Sequence, residues 1–210
     1  MPLLAYRQPF PELHIGLWLI TETEEALFEL AGEKQGEDLL IQSSGNRLKV
    51  QRLAVRILLQ NLCGRSDLSY KASGKPFLEG SPMHISVSHT NEMAAVITNS
   101  KEGTGIDIEM IKPRIALLAT KFMSDNELEC VENNDKVDLL HIYWCAKEAL
   151  YKLYGNKELF FIEHIRIDPF RYSGTKGVFT GSIETKDMNR KFHLCYEKVN
   201  GHMLVYVVNS

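Results

Sequence analysis

The stretch Asp138-Leu139-Leu140-His141-Ile142-Tyr143-Trp144-Cys145-Ala146-Lys147-Glu148-Ala149-Leu150-Tyr151-Lys152-Leu153-Tyr154-Gly155 decides how the chain is read. Leu139, Leu140, Ile142, Tyr143, Leu150 and Leu153 recur at helical spacing, and Gly155 stands where a left-handed residue closes a helix. The same pattern occurs upstream. Arg47 to Cys63 places Leu48, Leu53, Val55, Ile57, Leu58, Leu59 and Leu62 along one broad face, followed by Gly64. Ser43, Ser44 and Asn46, at the end of a polar loop from Gln35, are residue types that cap a helix start. Short apolar or alternating runs flank both helices. Upstream these are Leu13 to Ile20 and a hairpin of His84 to Ser88 with Ala94 to Thr98. Downstream they are Thr104 to Glu109, Ile162 to Ile167, Gly177 to Ile183, Lys191 to Tyr196 and Met203 to Val208. Glu22 to Leu30 reads as a short helix, Ser73 to Pro76 as a turn, and Pro113 to about Glu132 as shorter helices. Each half is thus one long helix beside a small sheet. The expected architecture is α+β, with two similar α/β halves, 1–102 and 103–210, in a pseudo-two-fold arrangement joined near Ser100 to Gly103.

Composition narrows the function classes. A chain of 210 residues buries roughly 70% of its unfolded surface, so it needs no disulfide or structural metal to fold. A net charge of -3 supplies no overall basic field, which argues against nucleic-acid or membrane-surface binding. Cys63, Cys130, Cys145 and Cys195 lie far apart without a Cys-x-x-Cys pair, which points to a reducing compartment rather than a zinc site or disulfide framework. No apolar run approaches the length of a membrane span, and the first ten residues lack a charged start leading into an apolar stretch. A soluble cytoplasmic protein is expected.

Two acidic pairs carry the chemistry. In a strand over Gly105-Ile106-Asp107-Ile108-Glu109, Asp107 and Glu109 share one face while Ile106 and Ile108 point into the core. In a helix over Trp144 to Lys152, Glu148 and Lys152 lie one turn apart. Three carboxylates and a lysine on rigid elements suit a hard divalent cation such as magnesium and the phosphates it carries, provided strand and helix meet.

Four motifs occur in order: Gly74-Lys75-Pro76, Ser86-x-Ser88-His89, Gly105 to Glu109, and Trp144-x-x-Lys147-Glu148-Ala149-x-x-Lys152. This order resembles the 4'-phosphopantetheinyl transferase superfamily, and the length points to its surfactin-type branch. The resemblance implies transfer of the phosphopantetheine arm of coenzyme A to a serine of an apo acyl or peptidyl carrier protein, releasing adenosine 3',5'-bisphosphate, as a holo-[acyl-carrier-protein] synthase does. It implies a magnesium ion held by Asp107, Glu109 and Glu148, with Glu148 as base for the carrier serine, directly or through a metal-bound water. Lys147 and Lys152 become candidates for the pyrophosphate. Ser88 and His89 match contacts to the 3'-phosphate, Lys75 and Pro76 match contacts near the adenine, and Arg47 lies near a further 3'-phosphate position that Arg52 and Arg56 extend. Some relatives carry two lysines before the first long helix, where this chain has Lys34 alone. The coenzyme A contacts thus fall in 1–102 and the magnesium and pyrophosphate site in 103–210. A monomer with one shared site is expected.

Each assignment has a plainer counterpart. An isolated acidic pair is usually a solvated strand face. Glu148 and Lys152 also fit an intrahelical ion pair worth about 0.2–0.5 kcal/mol. His89 fits a satisfied core histidine, Ser88 a turn residue and Lys75 an exposed turn lysine, while Trp144 reads as a packing anchor. The other histidines show no metal-ligand spacing. A catalytically silent coenzyme A-binding or carrier-binding module and a different metal-dependent phosphotransferase are the competing functions. For the carrier, Ile111 to Met123 offers Lys112, Arg114 and Lys121 beside Ile115, Leu117, Leu118, Phe122 and Met123, a patch suited to an acidic partner.

Overall fold

The computed structural model describes residues 3–32, 46–131 and 133–209. The loop and cap residues expected at 35–45, and Lys34, lie outside these. The chain divides into two compact units, Met1–Gly103 and Thr104–Ser210.

In the first unit β1 (Leu3–Phe10), β2 (Leu13–Leu19), β5 (His84–His89) and β6 (Met93–Asn99) form an antiparallel sheet in the order β1-β2-β6-β5. The helices are α1 (Glu24–Ala31) and α2 (Asn46–Cys63), and a small hairpin joins β3 (Leu68–Tyr70) to β4 (Pro76–Leu78). Leu53, Ala54, Val55, Ile57, Leu58 and Leu59 of α2 pack in one core with Trp18, Leu27, Ile85, Ala94 and Val96. The apolar face read from Arg47 to Cys63 is therefore the face that meets the sheet.

The second unit holds a five-stranded antiparallel sheet in the order β7-β11-β10-β9-β8: β7 (Ile106–Met110), β8 (Ile165–Ile167), β9 (Lys176–Glu184), β10 (Asn189–Val199) and β11 (His202–Asn209). Its long helix α5 (Lys136–Tyr154) ends on Gly155 at φ 72°, whose N–H donates to Tyr151 O at 2.9 Å. Between β7 and α5 lie a 3-10 turn (Pro113–Leu117), α3 (Ala119–Phe122) and α4 (Asp125–Glu129); α6 (Phe161–His164) follows α5. Helix α5 shares a core with Phe179, Phe192, Leu194, Met203 and Val205 of the sheet and with Ile115, Ala119, Phe122 and Met123 of the preceding segment. Apolar partners from sheet and segment alike explain why so much of α5 is buried. Trp144 is the packing anchor expected of it, meeting Phe122 and Phe161 edge to face at 5.1 and 5.7 Å between ring centroids.

Three details differ from the sequence reading. Strand β1 was not anticipated; Pro9 weakens its strand signal, and an edge position tolerates it. The strand expected from Ile162 begins at Ile165, because Phe161–His164 forms a helical turn in which His164 Nδ1 accepts the Phe160 N–H at 2.9 Å. The third concerns the faces of β7. Asp107 pairs with Val205 and Glu109 with Met203, and both partners belong to the helix-covered core. The carboxylates therefore sit on the side of the sheet that carries α5, while Ile106 and Ile108 are buried on the opposite side. Among the described residues no helix is long and apolar enough to cross a membrane.

Gly105, just before β7, lets α5 lie this close. A Cβ there would stand 1.9 Å from Ala149 O. Gly105→Ala should therefore destabilise the protein by about 2 kcal/mol or more, since neither backbone can yield cheaply. Denaturant unfolding checks this; unchanged stability would contradict the packing described.

Candidate functional site

Strand β7 and helix α5 meet, and their polar residues converge where they do. Lys152 Nζ donates to Asp107 Oδ1 at 2.6 Å and to Ile106 O at 3.1 Å. Lys152 thus pairs across to the strand, in place of the intrahelical partner Glu148 that its spacing allowed. Asp107 is only 3% exposed, so it is no solvated strand face. A lone carboxylate at that depth would be costly, and the ammonium offsets much of that cost.

Glu148 and Glu109 feel the same site. Burial pushes the Glu148 carboxyl up to about 7; Asp107 adds to the rise, Lys152 opposes it, and Glu109 adds a further push. Glu109 is also raised, by burial first and Asp107 second, while a hydrogen bond with Trp144 and the charges of Lys152 and Arg114 pull it back. Three acids therefore share one partly desolvated region, with Lys152 paired to Asp107 and the charge of Arg114 pulling on Glu109. As the side chains stand, no group of three or more His, Cys, Asp or Glu residues among those described is arranged to hold a metal ion. The donor set itself, three hard carboxylates within electrostatic reach of one another, matches what a small divalent cation prefers.

Lys147 is the residue on which the sequence expectation fails. It is fully buried, and its ammonium donates to Glu127 Oε2 at 2.8 Å, Ile165 O at 2.9 Å and Phe161 O at 3.1 Å. All three donors are used. Burial lowers its proton affinity, and Glu127 offsets only part of that fall. No donor is left for a pyrophosphate, so Lys147 leaves the ligand set. Glu127, which the sequence reading passed over, is the hub here: Oε2 also accepts the Ser124 N–H at 2.9 Å and Oε1 accepts the Ile167 N–H at 3.0 Å. Its signal was present in Ser124-Asp125-Asn126-Glu127, a capping box that forms at the start of α4.

The residues expected around coenzyme A lie in the first unit on elements tied to α2. Arg47 is exposed in its first turn and lines a cavity of about 440 Å³ with Asn91, Thr23 and the acidic Glu22, Glu24 and Glu25. Gln51, one turn on, donates to Thr90 O at 2.9 Å and so holds the turn that follows Ser88 and His89. Strand alternation puts Ser88, which is buried, and His89, which is exposed, on opposite faces of β5. Arg56 Nη2 donates to Leu68 O at 3.3 Å, fastening to α2 the hairpin whose Pro76 pairs with Tyr70. Lys75 precedes that strand; it is half-buried, and burial followed by the charge of Lys71 lowers its proton affinity.

His141 stays structural, as read: its Nδ1 meets Val137 O at 2.7 Å and its Nε2 accepts the Lys112 N–H at 3.3 Å.

The raised Glu148 carboxyl has a thermodynamic consequence. Between an unfolded value of 4.5 and a folded value of about 7, the folded chain keeps a proton that the unfolded chain releases. The stability this group contributes is fully present below pH 4.5 and is lost as pH rises through about 7. Without metal, Glu148→Gln should flatten the fall in melting temperature between pH 5 and pH 7.5, whereas Asp107→Ala should lower it throughout by stranding Lys152. Parallel wild-type and Glu148→Gln profiles would contradict this.

Residues 103–201 match the model of the 4'-phosphopantetheinyl transferase superfamily. The chain is similar to the 4'-phosphopantetheinyl transferase AcpT of Salmonella typhimurium, with 27% identity over 124 residues, 56% of this chain and 65% of that protein. It is similar to a 4'-phosphopantetheinyl transferase of Bacillus subtilis, with 33% identity over 86 residues, 39% of this chain and 38% of the relative. It is also similar to the 4'-phosphopantetheinyl transferase HetI of Nostoc, with 29% identity over 102 residues, 44% and 43% of the two chains. The chain thus spans less than two thirds of the length of these curated relatives. The matched region contains every residue of the β7–α5 site. The match to the 4'-phosphopantetheinyl transferase superfamily thus covers residues 103–201, just under half of the chain.

Proposed function

We propose that this protein transfers the 4'-phosphopantetheine group of coenzyme A to a serine of an apo acyl or peptidyl carrier protein, with magnesium, and releases adenosine 3',5'-bisphosphate. One observation carries the reading: the convergence of Asp107, Glu109, Glu148 and Lys152 where α5 crosses β7. The superfamily match over the same residues supports it.

In this reaction the serine oxygen attacks the phosphorus that bears the pantetheine arm, and the bond from that phosphorus to the bridging pyrophosphate oxygen breaks. Glu148 takes the serine proton. Without metal its carboxyl titrates at about 7; with magnesium bound that proton would be drawn off and Glu148 left ionised, able to accept the serine proton. Asp107, Glu109 and Glu148 would hold the magnesium ion, which when bound would neutralise pyrophosphate charge as the bridge breaks. Lys152, partly exposed beside Asp107, is placed to follow the charge that gathers on the departing bisphosphate. Arg47, Lys75, Pro76, Ser88 and His89 serve the adenine and 3'-phosphate as a further part of the proposal. The enzyme works as a cytoplasmic monomer in this reading; four free cysteines fit a reducing compartment.

For the carrier, the structure sorts the segment after β7. Ile115, Phe122 and Met123 are buried, whereas Leu117 and Leu118 are 81% and 41% exposed among exposed Lys112, Arg114 and Lys121. Leu118, Lys112 and Arg114 also line a cavity of about 150 Å³ with Glu109 and Trp144. An acidic carrier helix docking on these leucines would bring its serine toward Glu109 and the site.

Incubation with an apo carrier, coenzyme A and magnesium, read by the mass of the carrier, tests the proposal. The wild type should add one phosphopantetheine. Asp107→Ala and Glu148→Gln should each slow transfer by about 100-fold or more, while Lys121→Glu should raise the Michaelis constant for carrier and leave coenzyme A affinity alone. Near wild-type transfer by Glu148→Gln would overturn the site.

A further inference from the structure

Within the motif Lys147-Glu148, one residue is wholly buried and the other belongs to the proposed site. Lys147 is 0% exposed and Glu127 is 4% exposed. Their ion pair joins four elements: α5 through Lys147, α4 through Glu127 and the Ser124 N–H, the start of α6 through Phe161 O, and β8 through Ile165 O and the Ile167 N–H. Every donor on the ammonium and both carboxylate oxygens are engaged. A cavity of about 300 Å³ opens beside Glu127 and is lined by Ser124, Cys130, His164 and Arg166, but Lys147 does not line it. The ammonium is shut off from any soluble anion.

The pair lies where it controls the angle of α5. At about 100° per residue, Lys147 and Ala149 sit about 200° apart around the helix, with Glu148 between them. Ala149 is held by its close approach to Gly105. Apolar packing and the Lys152–Asp107 pair also hold the helix; the Lys147–Glu127 pair adds a directional polar anchor on the side away from Gly105. A roll of about 20° would carry a side-chain tip about 5 Å from the axis through nearly 2 Å. Misplacement by about 1 Å at a reacting centre costs on the order of 100-fold in rate.

We infer that Lys147 is a positioning residue: its buried ion pair with Glu127 sets the rotation of α5 and so places Glu148 beside Asp107 and Glu109. The inference rests on the transferase reading of Glu148. It assigns no contact between Lys147 and coenzyme A, where the motif alone suggested one.

The test compares full-length Lys147→Met, Glu127→Gln and the two combined, measuring kcat, coenzyme A affinity by calorimetry, and melting temperature. Each single variant should lower kcat by about tenfold or more while coenzyme A affinity stays within about threefold of wild type. The combined variant should lose much less than the product of the single losses, because both act through one interaction. A tenfold loss of coenzyme A affinity in Lys147→Met with Glu127→Gln unaffected would make Lys147 a ligand and overturn the inference. Lower melting temperatures with unchanged kcat would overturn it too, leaving a purely structural pair. Should Lys147→Met fail to fold, Glu127→Gln decides by the same split. No transfer by the wild type would overturn both this inference and the transferase reading, whereas an active wild type without the predicted pattern overturns this inference alone.

Discussion

The close approach of the Ala149 backbone to Gly105 is the constraint on which the second unit depends. No side chain fits between them, so α5 lies directly on the start of β7, and two short acidic motifs from distant parts of the chain become one site. The apolar residues of α5 and the sheet supply the driving force for that contact. Charge alone would oppose it, because packing the helix there brings Glu148 toward Asp107 and Glu109. Lys152, reaching Asp107 at 2.6 Å, offsets part of that repulsion.

Two lysine–carboxylate pairs on one helix, one fully buried and one partly exposed, show how differently the same chemistry can be used. Lys147 and Glu127 satisfy each other together with the backbone groups of Ser124, Phe161, Ile165 and Ile167. Lys152 and Asp107 sit at the edge of an acidic surplus, with Glu148 raised to about 7 and Glu109 raised as well. A fully compensated pair fixes structure. An undercompensated cluster keeps an electrostatic demand for positive charge, which a cation can meet.

Much of this was legible in the sequence. Helical periodicity located both long helices, and alternation in Gly105 to Glu109 put the two carboxylates on one face. What alternation could not say was which face the helix would cover, since both faces of β7 are buried and the apolar pattern is ambiguous there. The motif also could not separate its two lysines by residue type, yet helix geometry distinguishes them. Glu148 and Lys152 are four residues apart and about 40° from each other around the axis, whereas Lys147 and Lys152 are five apart and about 140° from each other. One face cannot carry both lysines to one phosphate. The segment after β7 was ambiguous for a different reason: five apolar residues were candidates for exposure, and only the position of α5 decides that Ile115, Phe122 and Met123 turn inward.

The central claim is that Asp107, Glu109 and Glu148 form one coupled acidic site able to take a divalent cation. Calorimetry of magnesium binding at pH 7, repeated in buffers of different ionisation enthalpy, tests it without any carrier. With Glu148 titrating near 7, binding should release about half a proton per ion, and Glu148→Gln should abolish that release while weakening the affinity. Proton release that persists unchanged in Glu148→Gln, or the absence of magnesium binding to the wild type, would contradict the account.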